Sequence, residues 1–469
     1  MCIVKADMLK RPLWIILCVA LVLRAGLLAG GWRQTGRFFR PDSAGYDALA
    51  RSLAERGEFS RTPDGPAELF RTPGYPIFLA YVYSLSGNSV HAALAVQILL
   101  DVGLCGLVYL LGARLFDRRV GLWAAGLQAV STVAIASSVQ ILSDSLFAFL
   151  LTAAILLLVH YFKNAAWPSR PCSCTQESRA GRPCYRSLLL SGIVVGSACY
   201  VRPVGLFFGV MVIGVLLLRC RSVRSAGAFA AVLALCVVPW IVRNHYAADY
   251  RGFSTVPAEA AFKFQGPYVM SRVEGISVES ARRRLEAELD EYKSAENPTP
   301  GQLESRRASL GLRVLLRHPW AFLSMQARGS LTVWAPGEVE LPSLLGIETG
   351  GRGTAEVLAS KGLPAAVRHY LGGQMWILWA LTPFILVLLL RYGLAAIGVI
   401  RHARLRMGPA GWLVVITVLL FALLPGVFGH PRFRVPITPL LNVAAGAGMV
   451  WIIGRIRRQR RPIDRSARV

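Results

Sequence analysis

Ten apolar runs, most of them separated by short and arginine-rich loops, constrain this chain more than any other feature. They cover residues 13–31, 90–112, 120–138, 142–162, 187–201, 204–219, 225–243, 374–400, 410–428 and 436–455. Each is about long enough to cross a hydrocarbon core of roughly 30 Å once tilt and flanking residues are allowed for. The two runs on either side of Arg202-Pro203 read as two short spans or as one bent span, because proline ends or kinks a helix. With 54% hydrophobic and 17% charged residues, no soluble interior hides this much apolar surface. The expected class is an all-α polytopic membrane protein, a helical bundle of about ten spans.

A net charge of +26 would point to nucleic acid in a soluble protein. Here the positive residues gather in alternate loops, as topology signals do. Lys5/Lys10/Arg11, Arg114/Arg118/Arg119, the 163–186 loop, Arg219/Arg221/Arg224, Arg401/Arg404/Arg406 and the tail from Arg455 mark the cytoplasmic side. The complementary segments 32–89, 139–141, 244–373 and 429–435 lie outside. Residues 244–318 carry 11 Lys/Arg against 10 Asp/Glu, a balance that suits the outer face. Nucleic acid is excluded as a partner, and membrane lipids are implied. Both termini are expected in the cytoplasm of a bacterial-type inner (plasma) membrane.

The expected organisation is an N-terminal membrane region, 1–243, holding the first outer loop at 32–89. An outer helical segment at 244–373, membrane helices at 374–455 and a basic tail at 456–469 follow. In the first loop, apolar residues at 46, 49, 50, 53 and 54 follow helical spacing and predict an interfacial helix. The later segment predicts a charged amphipathic helix in SVESARRRLEAELDEY, then a second helix broken at His318-Pro319. All nine cysteines fall in expected spans or cytoplasmic segments, clear of the oxidising side. Cys172, Cys174 and Cys184 lack a fourth ligand of suitable spacing for a metal, so their loop reads as a plain one. Arg24 inside the first run argues for a retained helix over a cleaved signal peptide.

Two aspartates carry the chemistry. Asp42 in RPDSAGY follows the first span, and Asp144 in QILSDSLF opens the fourth, so both map to the outer side at similar depth. A carboxylate beside an apolar span costs several kcal/mol unless it faces partners or a polar cavity. Each also reads as a helix N-cap, although Ser143 and Ser145 would serve the second helix as well. Asp101 and Arg24 fall near mid-span and are expected to pair. His430, beside a proline in a tight outer turn, reads as structural, and Gly74 as shaping a helix start.

These motifs resemble a known family. PDSAGYDALARSLAERGEF, RTPGYPIFLAYVYSL, LGARLFDRRVGLWAA with ILSDSLFAFLL, then YVRPVGL, PWIVRNHY and HPRFRVPITPLL are similar, in this order from about residue 35 to 445, to the membrane glycosyltransferases of family 39. That family includes the protein O-mannosyltransferases and the lipid A aminoarabinose transferases. The resemblance implies a GT-C fold, a polyprenyl-phosphate-linked sugar as donor, and a catalytic acid in the first outer loop, where Asp42 stands. Asp144 matches a second acid near the outer end of a later span. Asp42-Ser43 departs from the acidic pair of the protein mannosyltransferases, which argues against a protein acceptor. The acceptor class, whether glycan, lipid or protein, stays open.

Such a donor keeps its tail in lipid and its phosphate at the interface, so catalysis needs cations at the membrane surface and a base near the incoming hydroxyl. Arg71, Arg202, Arg243, Arg432 and Arg434 all map to outer span ends and are expected to grip the phosphate; snorkelling anchors, or partners for structural acids, are the alternative for each. Tyr46 and Tyr75 read either as sugar platforms or as members of an interfacial aromatic belt, and Trp240 likewise. No cofactor is required. A divalent cation at Asp144 is optional, and no complete ligand set is visible for it. The rival function is a transporter or flippase for an anionic lipid or solute, its charges lining a path; the absence of inverted repeats and the outer-side placement count against it. A catalytically silent scaffold is the third reading.

Overall fold

In the computed structural model, residues 10–459 are described, apart from 64, 165–184, 339, 351–352, 404–407 and 427–428. The Cys172/Cys174/Cys184 loop, Cys2, Lys5 and most of the basic tail lie outside the described residues. The secondary structure is helical: α1 Lys10–Gly31, α2 Ser43–Arg56, α3 Gly74–Ser86, α4 Val90–Leu115, α5 Arg118–Ala129, α6 Thr132–Ser138, α7 Asp144–Asn164, α8 Tyr185–Val201, α9 Gly205–Leu218 and α10 Val223–Ala248. The 244–373 segment holds α11 Val256–Ala260, α12 Gly266–Glu274, α13 Val278–Glu296, α14 Pro300–Arg317, α15 Pro319–Leu331, α16 Glu340–Leu344 and α17 Thr354–Tyr370; α18 Trp376–Ala403, α19 Pro409–Leu423 and α20 Thr438–Gln459 complete the described helices.

Among the described residues, six helices are long and apolar enough to cross a membrane: α1, α4, α7, α10, α18, and α20 together with the turn before it. A seventh span exists if α5 and α6 count as one; they are bent by 58°. This is a multi-pass membrane protein, with six or seven candidate spans where the sequence suggested ten. The difference has local causes. The run at 120–138 is broken, 187–201 and 204–219 are two separate short helices divided at Arg202-Pro203, and α19 has 15 residues.

The α5/α6 break frees carbonyls that lipid cannot satisfy, and two arginines reach them from opposite sides. Arg24 of α1 donates to Ala129 O at 2.9 Å and pairs with Asp101 of α4 at 2.5 Å, with neither side chain exposed. Arg391 of α18 donates to Leu127 O at 3.2 Å and to Ser131 Oγ at 3.1 Å. The mid-span charges expected to pair therefore do so, and they also close a helix break. Around them α18 packs on α20, and α5 on α4 and α20. The α18–α20 contact is so close that a Cβ on Gly448 would sit 2.1 Å from Leu394 O, a spacing only small residues permit.

The 244–373 segment has its own core, in which Phe262, Val269, Leu285, Leu289, Leu310 and Val314 converge. A Thr299/Gln302 capping box opens α14, and Pro319 starts α15 where His318 ends α14, as the sequence suggested. The first outer loop contains the expected helix α2, with Tyr46, Leu49 and Ala50 buried. It also contains α3, which begins at Gly74, where the sequence suggested a helix start. Ile77, Tyr81 and Leu85 of α3 are exposed at helical spacing, while a Cβ on Gly74 would lie 2.6 Å from the Tyr200 carbonyl carbon. Gly74 thus lets the start of α3 touch the end of α8.

Candidate active site

Three segments far apart in sequence meet at one end of the bundle: the start of α2, the start of α7, and the 3-10 turn Pro431–Ile437 that leads into α20. Asp42 occupies the N-cap position of α2, yet its side chain makes no capping bond. Its Oδ1 instead accepts from Arg71 Nη2 at 2.9 Å and its Oδ2 from Arg432 Nη2 at 3.1 Å. Asp144 is the first residue of α7 and fully buried. Its Oδ2 accepts from Arg432 Nε at 2.9 Å and its Oδ1 from Arg202. One guanidinium therefore joins both acids, using separate donors for each. Fixed forked donors allow this, and a lysine has none.

The network continues outward from Asp42. Arg71 Nη1 donates to Tyr46 OH at 3.1 Å, its guanidinium carbon lies 4.4 Å from the Tyr46 ring centre, and Tyr46 OH is 3.1 Å from Ser143 Oγ. Three arginines thus stand on two carboxylates, a local charge of +1 by that arithmetic. The acids differ in access: the Asp42 side chain is 40% exposed and that of Asp144 is 0% exposed. Burial pushes the Asp42 carboxyl up, but the Arg432 and Arg71 guanidiniums outweigh it and hold the group below the ordinary aspartate range.

The remaining expected site residues, Arg434, Arg243 and Tyr75, hydrogen-bond to partners other than the two acids. Arg434 is buried and donates through Nη1 to Val333 O, Ala335 O and Tyr392 OH at 3.2, 3.0 and 2.6 Å, so it ties the turn carrying Arg432 to the segment after α15. Its place at a span end, inside HPRFRVP, had suggested a phosphate ligand; turn geometry sends it inward. Arg243 donates to Glu68 O at 3.1 Å and lies over Trp240, bracing the backbone before Arg71. Tyr75 is fully buried and cannot stack on a sugar as it stands. Its OH donates to Gln97 Oε1 at 2.9 Å, and Gln97 Nε2 donates to the carbonyls of Ser137, Ser138 and Gln140 at 3.1, 3.1 and 2.7 Å. That chain shapes the loop that delivers Asp144.

Sequence reasoning passed over three residues. Gln97 is one. Glu68 accepts from the Phe70 and Arg71 amides at 2.8 and 3.0 Å and so sets the direction of Arg71. Glu340 accepts from Gln140 Nε2 at 3.2 Å. Its Oε1 lies 3.7 Å from His430 Nε2, while His430 Nδ1 accepts the Arg432 amide at 3.1 Å. Their signal in the sequence was only polarity beside a proline or inside a span, which does not name a partner. As for a metal, Asp42 and Asp144 already direct both oxygens at guanidiniums, and the described residues gather no group of three or more His, Cys, Asp or Glu. The donor set does not fit a divalent cation, and no step is derived through one.

Residues 70–169 match the sequence model of the family described as dolichyl-phosphate-mannose-protein mannosyltransferase. The structure resembles an archaeal oligosaccharyltransferase, AglB from Archaeoglobus fulgidus, crystallised with an inhibitory peptide and a dolichol-phosphate: TM-score 0.52 at 16% identity, covering 97% of this chain and 51% of that one. At this identity the likeness shows the fold alone, and that fold is GT-C. A second structure of the Archaeoglobus oligosaccharyltransferase, tethered to an acceptor peptide, gives TM-score 0.52 at 14% identity, over 97% of this chain and 50% of that one. The chain thus spans about half the length of these archaeal proteins. ArnT from Cupriavidus metallidurans in the apo state is also similar, at TM-score 0.40 and 14% identity, over 95% of this chain and 79% of that one. No curated protein matches the sequence.

Proposed function

We propose that this GT-C protein transfers a sugar from a polyprenyl-phosphate donor to a hydroxyl acceptor on the outer face of the membrane. The observation that carries the reading is the pairing of two acids with three arginines at one outer end of the bundle, with a surplus positive charge and one acid accessible. A lipid-linked phosphate supplies the missing anion. In this reading its oxygens draw Arg71 and Arg432 toward them, and Arg202 stays with buried Asp144. Asp42, relieved of two guanidiniums, then rises in basicity at the moment it is needed. The acceptor oxygen bonds to the anomeric carbon as the bond from that carbon to the phosphate oxygen breaks. The acceptor proton passes to Asp42, and the lipid phosphate leaves with its charge held by the arginines.

Asp144 acts in this scheme as the group that aims Arg432 and Arg202, since it has no exposed surface with which to meet an acceptor. The transport reading gains nothing from the mid-span charges, because Arg24 and Asp101 are taken up by each other and by helix carbonyls. The test is transfer of labelled sugar from a polyprenyl-phosphate donor by purified protein. Asp42→Asn keeps the hydrogen-bonding shape but cannot take a proton. It is expected to cut transfer by about 100-fold or more while donor binding persists. Transfer at the normal rate by well-folded Asp42→Asn removes Asp42 from the chemistry.

A further inference from the structure

Helix α15 turns an apolar face outward. Trp320, Leu323, Ala327 and Leu331 recur at intervals of three and four, so they share one face of the helix; Trp320, Leu323 and Leu331 are 80%, 53% and 69% exposed. The opposite face is apolar too: Met325 is buried and Ala321 and Phe322 pack into the core of the outer segment. Leu312 and Leu316, exposed on the last turns of α14, extend the same apolar surface toward Trp320. A helix apolar on two sides with only one side covered by protein is unstable against water, and patches of this size mark an interaction surface.

Two observations identify what covers it. Gln326, three residues from Leu323 on the helix surface, donates to Leu423 O and Leu424 O at 3.3 and 3.4 Å, so α15 lies against the end of α19, whose Leu419 and Leu423 are themselves exposed. The stripe is therefore continuous with a lipid-facing helix, at the end of the bundle that holds Asp42 and Asp144. The stripe has a basic border as well. Arg317 and Arg328 are exposed beside it, and residues 317–337 contain no Asp or Glu, while Arg307 and Arg313 pair with Glu304 and Glu288. Apolar side chains with Trp on one face and arginines at its border are the composition of a helix lying in a membrane interface, with anionic headgroups beside it.

We infer that α15 is an interfacial membrane anchor: it lies in the plane of the outer bilayer surface with Trp320, Leu323 and Leu331 in the acyl boundary, and it holds the outer helical segment over the bundle. This does not depend on the proposed chemistry. The test uses the full chain with a single new cysteine at Trp320, Leu323 or Leu331, and at exposed Ser294 of α13 as the reference. Each is labelled with a fluorescent thiol reagent in detergent, purified and reconstituted into vesicles with and without anionic phospholipid, with the signal of the unsubstituted chain subtracted. Lipids brominated on their acyl chains should quench the three α15 labels roughly twofold or more over the Ser294 label, whereas aqueous iodide should do the reverse. Anionic lipid should deepen the bromolipid quenching. If Trp320→Cys fails to fold, the other two positions give the same readout. Quenching of the α15 labels by iodide as at Ser294 overturns the proposal, as does protection from both quenchers, which would mean a protein partner. Equal bromolipid quenching with and without anionic lipid removes its electrostatic half.

Discussion

Replacing Arg432 by lysine tests the arrangement at its narrowest point. Arg432 reaches Asp144 with Nε at 2.9 Å and Asp42 with Nη2 at 3.1 Å, two donors at fixed separation on one planar group. A lysine ammonium keeps the charge but is a single point on a flexible stem, so it can serve one carboxylate well and must neglect the other. At least one charge-assisted hydrogen bond is lost, worth about 1.5–3 kcal/mol. If the same fork also grips the donor phosphate, that loss appears in the transition state as a fall in kcat/KM of about 10- to 150-fold. Overall stability should change less, because Arg202 still neutralises buried Asp144. Arg432→Met should be harsher, since it removes a buried charge partner altogether. The assay pairs steady-state sugar transfer with equilibrium binding of a polyprenyl-phosphate sugar in detergent, and thermal unfolding reports integrity. A folded Arg432→Lys protein with unchanged kcat/KM and donor affinity refutes the idea that this residue couples acids and phosphate.

Arg434→Lys should behave differently, because all three Arg434 bonds go to Val333, Ala335 and Tyr392: about 1–3 kcal/mol of stability should disappear, with donor affinity changed by less than about tenfold. A large affinity loss at normal thermal stability would return Arg434 to the phosphate site. The pH profile follows from Asp42, whose folded pKa lies below the ordinary aspartate value of 3.8. A depressed carboxyl keeps its charge, and the stabilisation from its ion pairs, above the ordinary value and loses them only as pH falls through the lowered one. The acid limb of kcat/KM in the free protein should therefore lie below 3.8, and the kcat limb, with phosphate drawing the arginines away, should lie higher. A kcat/KM limb assigned to Asp42 above about pH 5 contradicts this. For topology, a cysteine at exposed Ser294 should react with an impermeant thiol reagent on intact cells and native Cys174 should not; Ser60, which the structure buries, is a poor reporter. Reversed labelling moves the acids to the cytoplasmic side.

The sequence by itself carried the class, many of the helices, and the residue types that meet at one end of the bundle. Long apolar runs admit few structures in lipid, because every backbone polar group must be satisfied within its own segment. Local signals of the same kind found α2, α13 and the break at His318-Pro319. They also singled out Asp42, Asp144, Arg71, Arg202 and Arg432, because ionised groups beside apolar spans are costly enough to stand out. Tertiary structure decided which of these meet. Asp42 and Arg432 are 390 residues apart, and no periodicity carries a contact over that distance. It also decided that Asp42 gives up capping α2 for two guanidiniums, and that Arg434, two residues beyond Arg432, turns into the protein where its neighbour turns toward the acids. Tyr75, Gln97 and Glu68 became supports for the same reason. The role of a buried polar group is set by the partner left for it after packing, and that partner comes from whichever segment the fold brings alongside.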